Sequence, residues 1–69
     1  MKLTEMQQAL PPLIARKEVE KFLGGVVKSK TLANADAEGS GPEIRFKIGR
    51  TIAYQTESLL RWLEQRSKL

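Results

Sequence analysis

The chain contains no cysteine and no histidine. Without cysteine no disulfide can staple a small fold, and without either residue an ordinary zinc cluster is excluded. The same two gaps remove the commonest general base and the commonest strong nucleophile, so no enzyme and no cofactor are expected. No glycine-rich loop has the phosphate-cradling pattern with Lys-Ser or Lys-Thr at its end, and the "GSGP" of Gly39–Pro42 reads as a connector instead of a phosphate cradle. No apolar run approaches the roughly 18–20 residues that cross a bilayer. The opening "MKLTEMQQAL" places a Glu and two Gln where a secretory signal needs an unbroken apolar stretch. A cytoplasmic protein without a membrane partner is the expectation.

Basic charge is present and unevenly spread. Twelve Lys and Arg against 8 Asp and Glu give a formal net charge of +4, and the sequence pI is 9.8. The 69 residues make one domain, and a chain of this size buries only about 60% of its unfolded surface. Lys28–Ala35 holds two lysines and no acid, and Ile44–Tyr54 holds Arg45, Lys47 and Arg50 and no acid. The acids lie elsewhere, at Glu18 and Glu20, at Asp36 and Glu38, and at Glu57 and Glu64. This distribution favours a polyanionic partner, nucleic acid before an anionic membrane surface.

Residues 1–12 read as an arm, partly ordered, because Pro11-Pro12 ends any helix and restarts the chain in an extended form. Residues 13–66 read as the folded domain. A first helix is expected from Arg16 to Leu23, with Val19, Phe22 and Leu23 as an apolar stripe extended by Leu13 and Ile14. Ala15 stands where a capping Ser or Thr belongs, so only half a capping box is present. After Gly24-Gly25, Ser29 is expected to cap a second helix from Lys30 to Glu38, stopped by Gly39. Leu32 and Ala35, flanked by Ala33 and Ala37, face inward and leave Lys30, Thr31 and Asn34 free. Ile44, Phe46 and Ile48 alternate with Arg45 and Lys47, and Gly49-Arg50 turns the chain into Thr51–Tyr54. That pattern predicts a two-stranded hairpin with an apolar face and a basic tip and back. Thr56 is expected to cap a final helix, with Trp62 in the core. The expected class is α+β, a small winged helix-turn-helix.

Such an arrangement sends its second helix into the DNA major groove and lays its wing on the backbone or in the minor groove. Cations displace counterions from phosphates, and hydrogen-bonding side chains read base edges. Lys30, Thr31 and Asn34 suit the reading role: Lys reaches guanine, Asn pairs with adenine, and the Thr methyl touches thymine. Lys28, Lys30, Lys47 and Arg50 suit the phosphate role.

"LIARKEVEKFLG", "SKTLANADAEGSGP" and "FKIGRTIAYQTESLLRWLE" together resemble the small excisionase-type DNA-binding domains of phage and integrative elements. These have MerR-like winged helices and also occur as prophage regulators. The resemblance runs over residues 13–64 and rests most on the "KIGR" of the wing and its spacing to "GP" and "WLE". It implies double-stranded DNA binding without catalysis, in a protein that bends DNA and assists an integrase. A small transcriptional regulator working with RNA polymerase is the alternative, and an adaptor with a basic face is the alternative from another class. Carried over residue by residue, it gives base reading to Lys30, Thr31 and Asn34. Backbone or wing contacts go to Arg16, Lys17, Lys28, Ser29, Arg45, Lys47 and Arg50. A monomer or weak oligomer is expected, with several copies side by side on DNA. Two departures stand out: Ala35 replaces a larger apolar residue of the family, and the "GGVVKS" turn is two residues longer than usual.

Overall fold

The computed structural model describes residues 7–66. It is an α+β fold of three α-helices and a three-stranded antiparallel sheet. The elements in order are β1 (Leu13–Ala15), a 3-10 turn (Arg16–Glu18), α1 (Val19–Phe22), α2 (Ser29–Glu38), β2 (Arg45–Ile48), β3 (Thr51–Gln55) and α3 (Thr56–Arg66). In the sheet β3 lies between β1 and β2. Among the described residues no helix is long and apolar enough to cross a membrane. Residues 1–6 of the expected arm lie outside the described residues.

The first helix differs from expectation. Leu13–Ala15 is a strand, paired Leu13 to Gln55, Ile14 to Tyr54 and Ala15 to Ala53. The adjacent prolines bias this part of the chain toward extended backbone, and Ala15 has no side chain to open a helix there. Helix then begins as a 3-10 turn and lasts a single α turn, and Phe22 ends exposed instead of in the core. The hairpin therefore has a third strand and is not an isolated pair.

The second helix starts one residue earlier than expected, and Ser29 does not cap it. The cap position is Lys28, which supplies no side-chain bond, while the Ser29 amide donates to Glu20 Oε1 at 3.3 Å. Gly39 does end it, at φ +79°, and the Ser40 amide donates back to the Ala35 carbonyl at 2.8 Å. Leu32 and Ala35 are buried, whereas Ala37 is exposed. The long turn before α2 has a use: Val27 is buried in the core and pins it, while Val26 stays outside.

Between Ile48 and Thr51 the chain turns in two residues, Gly49 and Arg50. Gly49 sits at φ +62° and no non-glycine residue has positive φ among those described. Gly49→Ala therefore costs about 1 kcal/mol, read as a fall in the thermal midpoint without loss of secondary structure.

The hairpin's faces are the reverse of the expected ones. The turn fixes Lys47 opposite Ile52 and Arg45 opposite Tyr54, and side chains directly opposed share a face. Tyr54 is fully buried and Ile52 packs on the core, so Arg45 and Lys47 leave the sheet on that same side. Phe46 and Ile48 are turned to the other side and exposed. Two large apolar residues of β3 outcompete the apolar row of β2, and register decides the rest.

Thr56 does not cap α3. Its amide donates to the Pro12 carbonyl at 3.0 Å and its hydroxyl donates to the Pro11 carbonyl, which ties residues 11–12 to the helix start. Gln55 is the capping side chain, accepting from the Ser58 amide at 3.1 Å. One core joins Ile14, Val19, Val27, Leu32, Ala35, Tyr54, Leu59 and Trp62. The Trp62 indole N–H donates to the Ser40 carbonyl at 2.7 Å, which satisfies the polar end of a buried ring.

Candidate nucleic-acid interface

A polar cluster locks α2 to the sheet. Arg16 Nη2 donates to Asp36 Oδ2 at 2.6 Å, and the Tyr54 hydroxyl donates to the same oxygen at 2.5 Å. Arg16 Nε closes the triangle by donating to the Tyr54 oxygen at 2.9 Å. Arg45 Nη1 lies 3.6 Å from Asp36 Oδ1, the cation that faces this otherwise unbonded buried atom. The Asp36 side chain is 8% exposed and that of Arg16 26%. Burial opposes the Arg16 charge, but its bonds to Tyr54 and Asp36 outweigh that and raise its pKa. Burial first, and then the bond to Asp36, push the Tyr54 hydroxyl up to about 12.

Arg16, expected on phosphate, is thus mainly an ion-pair partner, and Arg45 is partly one. Asp36 escapes a reading of the sequence alone. Its signal is an acid in a helix otherwise basic at its start, but without the fold nothing links it to Arg16.

A cleft of about 230 Å³ opens beside this cluster, lined by Arg16, Lys17, Ser29, Arg50, Thr51 and Ile52. It brings together the 3-10 turn, the start of α2 and the hairpin tip. Four of the residues expected from sequence therefore meet in one place. Two acids connect to it, Asp36 through its ion pair with Arg16 and Glu20 through its bond to the Ser29 amide. Lys28 and Thr31 line a different and larger groove, about 610 Å³, with Val26, Leu63 and Arg66. Arg66, which the sequence does not single out, stacks over Trp62 at 4.7 Å and faces that groove. Lys30 and Asn34 are exposed on α2, one turn apart. Lys47 is exposed on the side of the sheet that α2 covers.

Lys17, Lys28, Lys30, Lys47 and Arg50 form no ion pair with a described residue, and all five are exposed. Unpaired cations around a cleft attract phosphate or carboxylate groups, while the amide and ammonium of Asn34 and Lys30 supply directional hydrogen bonds. Among the described residues no acid cluster could hold a metal ion. No family model matches the chain, and no curated protein matches it in sequence.

Proposed function

We propose that the chain is a sequence-specific double-stranded DNA-binding protein working as a small winged helix-turn-helix. In this reading α1, the turn and α2 form the helix-turn-helix, and β2–β3 is the wing. The observation that carries it is the cleft that gathers Arg16, Lys17, Ser29 and Arg50, with Ser29 opening the helix on which Lys30 and Asn34 are exposed. A ten-residue helix is about 15 Å long and fits a major groove about 12 Å wide. Lys17, Lys47 and Arg50 then meet phosphates, and Lys30, Thr31 and Asn34 face base edges. Arg16 and Arg45 hold the frame and add field.

The preferred role is an excisionase that bends DNA and assists an integrase. A small regulator acting with RNA polymerase uses the same surface. A gene adjoining an integrase gene favours the first.

The test uses duplexes selected from a random pool. The pair Lys47→Ala and Arg50→Ala weakens binding to every sequence alike and lowers the salt slope by about 0.9 for each phosphate lost. Asn34→Ala instead relaxes preference at one base pair by about 1–3 kcal/mol. Equal, sequence-blind losses from both changes contradict this division of roles.

A further inference from the structure

The sheet's other face has no part in that reading. Cross-strand pairing sets Leu13 beside Gln55, Ala15 beside Ala53, Ala53 beside Phe46, and Thr51 beside Ile48. All of these lie on the face opposite Ile14 and Tyr54; Ala53 is buried at 6% exposure, but none joins the cluster around Tyr54. Leu13, Phe46 and Ile48 are 44%, 45% and 62% exposed. None of the described strand residues on this face is charged, in a chain where 29% are.

We infer that this uncharged face, centred on Phe46, is where a second copy of the chain docks, sheet against sheet. Charge selects the occupant. Each copy carries a net +4, so most of its surface opposes another copy, and only a face free of charge meets itself without like charges in contact. The free edge of β2 is a poorer meeting place. Gln55 donates to the Ile44 carbonyl at 3.2 Å, so by alternation the outward backbone groups are those of Arg45 and Lys47. Antiparallel pairing of two such edges about Phe46 sets Arg45 against the second copy's lysine in β2, which repels. Face-to-face packing, with sheets about 10 Å apart, interdigitates Leu13, Phe46 and Ile48 instead.

The area limits the strength. Three short strands present roughly 300–400 Å² per copy, well under the about 800 Å² of a stable interface, so the pair is weak and concentration-dependent. Because α2 covers the other side of the sheet, both copies keep α2 free.

Sedimentation equilibrium from micromolar to millimolar protein tests this. The mass should rise from 7.8 kDa toward twice that value. Association should strengthen with salt, which screens the mutual repulsion, whereas duplex binding weakens with salt. The two readings therefore fail independently. Phe46→Lys and, separately, Ile48→Lys should weaken association by roughly tenfold or more while the circular dichroism spectrum is kept. Amide shifts that move with concentration should map to Leu13, Phe46 and Ile48. Single-copy mass at every concentration in high salt overturns the inference. So does association that both folded variants leave unchanged.

Discussion

Asp36→Ala is expected to lower stability by about 3 kcal/mol, the cost of breaking a buried pair by removing one partner. Its carboxylate is the shared acceptor of Arg16 and Tyr54 and faces Arg45. Removal leaves a half-buried guanidinium and a fully buried hydroxyl with one partner fewer. A carboxylate near the C-terminal end of α2 is also unfavourable toward the helix dipole, so Asp36 is tolerable there only because cations face it. In a domain of this size the loss is a fall of roughly 12–24 °C in the thermal midpoint. Gly41→Ala attacks the same point from outside. An added Cβ would overlap Asp36 Oδ1 and stand 3.0 Å from its Cγ, so the carboxylate must move off its partners. Glu38→Ala, on the exposed end of the same helix, should stay within about 0.5 kcal/mol. Calorimetry that finds Asp36→Ala no worse than Glu38→Ala contradicts the role given to the cluster.

Alkali should remove stability through Tyr54. The hydroxyl ionises at about 12 in the folded chain, against 10.0 for the free group. The folded state therefore holds the proton more tightly. Its contribution is complete below pH 10 and is lost as pH rises through 10 to 12, by about 3 kcal/mol in all. Tyr54 is the sole tyrosine, so tyrosinate absorbance reports this one group. The titration should show a midpoint near 12 merging with unfolding. Tyr54→Phe should flatten the alkaline limb while costing about 1–2 kcal/mol at neutral pH. A tyrosinate midpoint near 10 in the folded protein contradicts the burial and bonding described.

Much of this fold is visible in the sequence, and the rest depends on pairings no single segment contains. Gly39 and the Gly49-Arg50 turn are local signals, and both act as expected. Leu32, Ala35 and Trp62 follow helical spacing into the core. Leu13–Ala15 fails that test because a three-residue strand has no period of its own, and only β3 makes it a strand. The alternation of β2 is real, but alternation cannot say which face is inner. Tyr54 and Ile52 decide that through register. Of the candidate site, the cations are legible because charge needs no fold to be counted. That Arg16 belongs to Asp36, 20 residues away, is hidden for the opposite reason: an ion pair is defined by tertiary approach.

If the free cations around α2 and the wing meet DNA phosphates, as proposed, duplex affinity across a salt series reports it most directly. Log affinity should fall linearly with log salt, with a slope of about −0.9 for each of several phosphates engaged. The slope should shrink when Lys17, Lys47 and Arg50 become alanine. Duplex binding that is absent, or indifferent to salt and to those three residues, contradicts the proposal.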